Sequence, residues 1–333
     1  MRGIEIGAPG GLENLRLVDL PEPTPGRGEV LLRLLAASLN ARDLGMARRP
    51  AATTVAPLSD ACAVVEAVGP DVTQVAPGDR VSTLFFPNWL SGRLTPEKRT
   101  FALGGAKGAN AERVVLPETA VIKAPEYLSD HQVATLACAA LTAWHGLMVA
   151  ARPLPGDTVV LQGTGGVSIF ALQFAAAAGF DTIITSSSDE KLTRARALGA
   201  THTINYRHHA EWSKEVRRLT DGRGAQAVLE VGGAGTLQES LKATAIGGTV
   251  AVIGVLTGPQ EAVPIPTLMG NLIRMQGVTV GSREMFEDMC RMLIANRLEP
   301  VVDRVFPLSE VRAAYDAMTG GDRFGKVVID FTR

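Results

Sequence analysis

One segment constrains the fold more than any other. Thr158-Val159-Val160-Leu161-Gln162 is an apolar, β-branched run, Gly163-Thr164-Gly165-Gly166 is a glycine turn, and Val167 onward is an alanine-rich run that closes at Gly179. A strand that turns on glycine into a helix is the way a dinucleotide pyrophosphate is held. Gly163 allows the tight turn, Gly165 lets backbone approach phosphate without a Cβ, and a helix starting near Gly166 offers N–H groups and the positive end of its dipole. Gly163, Thr164, Gly165, Gly166 and Val167 are therefore the expected pyrophosphate contacts. Ser168 stands where G-x-G-x-x-G has its third glycine, and serine is small enough for close helix–strand packing. The glycine pattern alone is weak; a second strand at Thr182 to Thr185 and a polar helix start at Asp189-Glu190-Lys191 give it its context.

The 333 residues suffice for two domains with their own cores. A net charge of -1 gives no electrostatic footprint for nucleic acid or an anionic membrane. The opening Met1-Arg2-Gly3-Ile4-Glu5-Ile6 reads as a strand, so no signal peptide is expected, and no apolar run is of bilayer length. Cys62, Cys138 and Cys290 are widely spaced and odd in number, which argues against a disulfide framework and fits a reducing cytoplasm.

The first third reads as β-rich and turn-punctuated. Val30 to Asn40, Ala61 to Val68, the run after Pro77-Gly78-Asp79-Arg80-Val81, Val114 to Pro117 and Ala120 to Lys123 are strand-like, and their irregular spacing suggests a barrel-like β domain. Helices are expected over Asp130 to Ala140, capped by Ser129, and over Thr142 to Ala151. Strands at 158–162, 181–185, 226–230, 249–253 and 276–280 then alternate with helices at 166–178, 189–198, 210–219, 234–244 and 266–273, which implies a parallel sheet with helices on both faces. A helix at 283–296 precedes strands at Val301 to Phe306 and Gly325 to Asp330. The expectation is an α/β chain in which residues 1–124 and 283–333 form a β domain and residues 125–282 a doubly wound nucleotide domain.

Several segments together resemble the medium-chain dehydrogenase/reductase superfamily. They are Gly28-Glu29-Val30-Leu31 with Ser38-Leu39-Asn40-Ala41-Arg42-Asp43, Glu66-Ala67-Val68-Gly69 with Pro77 to Val81, Leu141-Thr142-Ala143-Trp144, and Leu198-Gly199-Ala200 with Ile204-Asn205-Tyr206. The resemblance covers nearly the whole chain and implies a GroES-like barrel, a Rossmann domain and a cleft between them. Zinc alcohol dehydrogenases of this superfamily place a cysteine, a histidine and a cysteine on catalytic zinc; the matching positions here are Asn40, Ser59 and Cys138. Only Cys138 is a thiolate-type ligand, and catalytic zinc needs three N, S or carboxylate ligands. Asp60 sits where the family has a glutamate beside the metal, so Cys138, Asp60 and His145 are the alternative metal set; no metal is expected. The four close cysteines of the family's structural zinc lobe are missing. Without a Lewis acid an alkoxide is not stabilised for hydride loss, whereas reduction of a quinone or enone needs only hydrogen-bond donors at the oxygen that gains charge.

The resemblance places Ser186 at the end of the second Rossmann strand, where an NAD-specific domain has a carboxylate for the ribose. Ser186, Ser187 and Lys191 are instead suited to a 2′-phosphate, and Tyr206 matches a position bordering it, so NADP(H) is the expected cofactor. Ser187 or Ser188 as a helix cap and Lys191 as a solvated cation is the alternative reading. Asn40 is expected near the nicotinamide with a side-chain amide free to donate. Asp43 is expected to orient Arg42 or the loop backbone, and Thr142 to touch cofactor or cap its helix. Gly232, Ile253, Gly254 and Val255 follow later Rossmann strands and should flank the dinucleotide. Arg283 and Lys326 are candidate phosphate contacts; Phe85, Phe86 and Trp89 either wall the pocket or are core. These residues point to an NADPH-dependent, zinc-independent reductase of quinones or α,β-unsaturated carbonyls, cytoplasmic and homodimeric through an edge strand at Gln276 to Val280. An alcohol or aldehyde dehydrogenase, and a non-catalytic NADPH-binding sensor, are its rivals.

Overall fold

A computed structural model describes residues 1–333 and resolves into two compact units, Met1–Leu141 with Gly281–Arg333, and Thr142–Val280. The first unit opens with β1 (Arg2–Ile6) paired antiparallel to β2 (Leu15–Asp19). It continues through β3 (Glu29–Ser38), α1 (Ala41–Ala47), β4 (Asp60–Val68), β5 (Arg80–Thr83), β6 (Arg113–Pro117), β7 (Val121–Lys123) and the single turn α2 (Asp130–Val133). A helical run with wide i→i+5 turns at Leu136–Ala140 and His145–Ala151 surrounds α3 (Leu141–Trp144). Two ordinary helices were expected there; the alanine-rich sequence winds more loosely, a feature that recurs at functional sites.

The second unit holds β8 (Thr158–Gln162), α4 (Gly166–Ala177), β9 (Asp181–Ser186), α5 (Asp189–Ala197), β10 (His202–Asn205), α6 (Trp212–Leu219), β11 (Ala225–Glu230), α7 (Leu237–Ala243), β12 (Thr244–Val252), α8 (Ile265–Gly270) and β13 (Arg274–Gly277). Its sheet is parallel throughout, in the order β10-β9-β8-β11-β12-β13. The order reverses between β8 and β11, so the carboxyl ends of those strands form the crevice where such sheets take ligands. Val160, Ile183, Ile204, Val228 and Val250, one from each of five neighbouring strands, form its buried core with Trp212, Val216 and Leu241 of α6 and α7. Strand β13 sits two residues earlier than expected and forms one edge of this sheet.

The chain then returns to the first unit with α9 (Arg283–Asn296), β14 (Val302–Pro307), α10 (Val311–Thr319) and β15 (Lys326–Asp330). The seven-stranded sheet runs β14-β15-β3-β4-β5-β7, with β6 also on β3. One edge of β3 is shared: β6 pairs with residues 29–33 and β15 with residues 36–38. Alternating Val30, Leu32 and Leu34 feed the core under this sheet. Helix α10 escaped the sequence reading, although Val311, Ala314, Tyr315 and Met318 recur at helical spacing and are all buried.

The expected domain boundary at 124/125 lies instead at 141/142. The linker is fastened to the β unit by Arg80, whose guanidinium donates to Asp130 at 2.7 Å, to the Pro125 carbonyl at 3.3 Å and to that of Leu128 at 2.5 Å. Helix α2 also packs on β3 and β4.

Candidate active site

In the Thr142–Val280 unit, Gly163 to Val167 lie at the carboxyl end of β8, and Gly165 is the residue before the first turn of α4. The two glycines have separate physical reasons. Gly163 has φ +70, the left-handed region that favours glycine. Gly165 has φ -78 and ψ 178, extended backbone that any residue adopts. A Cβ built on Gly165 meets no atom within 4 Å. Nothing inside the protein asks for glycine there, and no side chain caps α4; the cradle has the shape and the N–H groups for an anion. Ser168, in the third-glycine position, is buried and donates to the Gln162 carbonyl at 2.6 Å, which ties helix to strand.

The neighbouring carboxyl ends are tied by a residue that the sequence reading passed over. Glu230, the last residue of β11, is fully buried. Its Oε1 accepts from the Gly232 and Gly233 N–H groups at 2.7 and 2.9 Å and from the Thr236 hydroxyl at 2.6 Å. Its Oε2 accepts from Gln162 Nε2 at 2.8 Å and from the Ser240 hydroxyl at 2.5 Å. The Glu230 backbone carbonyl accepts from Ile253 and Gly254 N–H at 2.8 and 3.2 Å. Gly232, Ile253 and Gly254 are thus brought together, and position 254 requires glycine because a Cβ would stand 2.3 Å from the Val231 carbonyl oxygen. Val255, the next residue, is exposed. A buried acid next to a glycine pair was the available signal; the strand pattern hid it.

At the end of β9, Ser186 is buried and its Oγ accepts from Ser188 N–H at 3.3 Å. Ser188 caps α5, accepting from Lys191 N–H at 3.4 Å, while Ser187 is half-buried. Tyr206 N–H donates to the Ser186 carbonyl at 3.1 Å and its side chain is exposed beside Arg207, an exposed cation that the sequence reading did not weigh. Asp189 is held by Asn205 Nδ2 at 2.8 Å. Lys191, expected as an available cation, is largely buried. Thr142 is buried inside the helical run, which removes its reading as a cap.

In the other unit, Asn40 lies two residues beyond the end of β3 and is the N-cap of α1. Its backbone N–H donates to Asp43 Oδ2 at 2.8 Å, and its side-chain Nδ2 to Asp60 Oδ2 at 3.0 Å. Its Oδ1 accepts from Lys326 Nζ at 2.5 Å. The amide expected to be free is therefore half committed. Asp60 also accepts from Ser59 Oγ at 2.7 Å, Ser38 Oγ at 3.4 Å and Cys138 N–H at 3.2 Å. Lys326 donates to the Leu39 carbonyl at 2.7 Å and lies 3.9 Å from Asp60. Both side chains of that ion pair are essentially inaccessible, at 3 % and 0 % exposure. Lys326, expected as a phosphate contact, has its ammonium engaged inside the β unit. Burial lowers its pKa while Asp60 opposes the shift.

Arg283, the other expected phosphate contact, is also engaged within the β unit. Its guanidinium donates to the Val121 carbonyl at 2.5 Å and lies 4.0 Å from Glu287, so it clamps α9 to β7 rather than presenting charge. Phe85, Phe86 and Trp89 are buried in edge-to-face and tilted contacts at 4.6 and 6.1 Å. Arg42 lies over Phe85 at 4.6 Å and donates to the Leu103 and Gly104 carbonyls.

Asp43 is fully buried, and burial pushes its pKa up to about 6 against the pull of Arg42. A raised carboxyl pKa means that the folded state binds the proton more tightly than the unfolded one. Asp43 therefore supports folding at acid pH, and that support is lost as pH rises from the ordinary carboxylate range through about 6. Asp43→Asn keeps an acceptor for the Asn40 N–H. Relative to this variant, wild type should lose up to roughly 3 kcal/mol of unfolding free energy between about pH 4 and pH 7. Denaturant unfolding of both proteins across that range measures it, and a constant difference contradicts it.

The positions that the resemblance assigns to metal do not suit one. Asn40 Oδ1 is occupied by an ammonium and Ser59 is a donor to Asp60. The Cys138 thiol is driven well above its ordinary pKa by burial, with Asp60 adding to the effect. His145 Nδ1 donates to the Val280 carbonyl at 2.8 Å. No three His, Cys, Asp or Glu side chains come together as a ligand set.

Comparison with known proteins agrees with the fold of the two units. Residues 26–126 match the alcohol dehydrogenase GroES-like domain and residues 166–295 the zinc-binding dehydrogenase family. A zinc-type alcohol dehydrogenase-like protein of Schizosaccharomyces pombe is 42% identical over 91% of the chain and 90% of its own length. The 2-haloacrylate reductase of a Burkholderia species is 29% identical over 96% of each. Among solved structures, an NAD-dependent alcohol dehydrogenase superposes with TM-score 0.90 at 36% identity, covering 99% of both chains. A mycobacterial protein in complex with NADPH gives 0.85 at 28% (99% of this chain, 100% of that one), and a Pseudomonas syringae quinone oxidoreductase 0.83 at 29% with the same coverage.

Proposed function

Because the chain belongs to the medium-chain dehydrogenase/reductase superfamily, in its quinone oxidoreductase-like branch, we propose that it is an NADPH-dependent reductase of quinones or α,β-unsaturated carbonyls that works without zinc. The observation that carries this reading is the donor set around Asn40, where a lysine ammonium, an amide and a hydroxyl stand in place of metal ligands. Bound NADPH supplies a hydride for an electron-poor carbon. Gly163 to Val167 hold the pyrophosphate on the first turn of α4. Ser186, Ser187, Tyr206 and Arg207 line the ribose end, where no carboxylate follows β9 directly to repel a 2′-phosphate. The remaining N–H of the Asn40 amide donates to the substrate oxygen as negative charge collects there. Among relatives, the name 2-haloacrylate reductase supports an activated alkene as substrate class.

A homodimer through the β13 edge fits the exposed Ile265, Met269 and Leu272 just before that strand. Three free cysteines fit a reducing cytoplasm, and no helix is long and apolar enough to cross a membrane.

Oxidation of NADPH and NADH, followed at their absorbance band against menadione, cyclohexenone and a set of aldehydes, tests this reading. Turnover of the quinone or the enone, with NADPH preferred by at least about tenfold in kcat/KM, is the expected result. Turnover confined to aldehydes, or to NADH, overturns it.

A further inference from the structure

The ammonium of Lys326 is buried beside Asn40 and Asp60 in the β unit. A buried lysine next to a carboxylate is costly unless its geometry serves some end. Here it does not meet Asp60 directly: the closest approach is 3.9 Å, and the 2.5 Å contact is to the carbonyl oxygen of the Asn40 amide. The amide is thus strung between a cation on its oxygen and an anion on one of its N–H groups. Hydrogen bonds arranged in series polarise one another. An amide whose oxygen faces an ammonium has an electron-poor nitrogen and a stronger second N–H.

We propose that Lys326 is a positioning residue that stands in for a metal ion, fixing and polarising the Asn40 carboxamide so that its second N–H stabilises the negative oxygen formed when hydride reaches the substrate. Asp60 has the complementary task. It stops the amide from turning over, since a flipped amide would point N–H at ammonium and carbonyl at carboxylate. The inference rests on the reductase reading for its chemistry, but the Lys326–Asn40–Asp60 string has a signature independent of turnover.

Three variants separate polarisation from simple support of the fold: Lys326→Met, Lys326→Arg, and Lys326→Met combined with Asp60→Asn. The double variant removes both charges together, so no unpaired buried carboxylate is left to unfold the protein. Protein labelled with 15N at asparagine is used to follow the Asn40 side-chain amide, identified by its loss in Asn40→Ala. Steady-state kinetics with menadione and cyclohexenone, NADPH affinity from fluorescence, and thermal midpoints complete the set.

The Asn40 amide signal should shift in Lys326→Met and in the double variant. In both, kcat should fall by on the order of tenfold or more while NADPH affinity holds within about threefold. Lys326→Arg, which keeps the charge, should retain most of kcat, and the double variant should regain thermal stability over Lys326→Met without regaining kcat. An Asn40 signal unmoved by loss of the ammonium, or wild-type kcat in the double variant, overturns the proposal. A wild-type enzyme that turns over neither probe defeats the reductase reading instead, and the amide signal still decides whether Lys326 holds Asn40.

Discussion

Gly165→Val should abolish useful NADPH binding while leaving the protein folded. The position has ordinary extended backbone, and a Cβ there touches nothing in the protein. Valine should therefore change stability by no more than about 1 kcal/mol. The same Cβ would stand where the pyrophosphate must meet the N–H groups of α4, so affinity should fall by about a thousandfold, or ~4 kcal/mol. Gly163→Ala makes the contrast. Its Cβ also meets open space, but φ +70 costs an L-residue about 1–2 kcal/mol, so stability should suffer before affinity does. Fluorescence titration with NADPH and thermal unfolding of the two variants measure both halves. Full affinity in Gly165→Val would show that the cradle is not the pyrophosphate site.

Removing the Glu230 side chain should be among the most damaging single changes in the parallel-sheet unit. Five donors converge on its two oxygens, and no cation is among them. Glu230→Ala strands buried N–H and O–H groups at about 1–3 kcal/mol each, partly recovered by rearrangement, for a loss of about 4 kcal/mol. Glu230→Gln is no rescue. An amide nitrogen would face either the Gly232 and Gly233 N–H groups or Gln162 Nε2, and Gln162 is itself fixed because its oxygen accepts from Val231 N–H at 3.1 Å. About 2 kcal/mol should be lost, with NADPH affinity weakened because the loops after β11 and β12 lose their common anchor. Denaturant midpoints of both variants check the order; a glutamine variant as stable as wild type would mean that the carboxylate is not what orders these loops.

The parallel sheet was legible because its signals are local. An apolar strand, a glycine turn and a periodic helix each declare themselves within a few residues, and α9 falls on the residues expected. Helix α10 was equally periodic but short, and it was overlooked beside the strands around it. At Gly163 to Val167 the glycine turn entering a helix was legible, because its backbone geometry is local. The contacts of Lys326 and Arg283 were not legible because a cation's partner lies far away in sequence: Lys326 meets Asn40 across 286 positions and Arg283 meets Val121 across 162. Glu230 was missed for a related reason. At the end of an apolar strand it reads as a solvated terminus, and only the folded loops reveal five donors around it.

The central claim is that hydride chemistry proceeds here with an ammonium-polarised amide in the place of a metal. Metal content and activity measured on the same purified sample test it most directly, with menadione and NADPH before and after exhaustive chelation. The account predicts less than a tenth of an equivalent of zinc, an order-of-magnitude bound for a site lacking three ligands, and a rate that chelation leaves unchanged. Near-stoichiometric zinc whose removal abolishes turnover, and whose return restores it, would contradict the account.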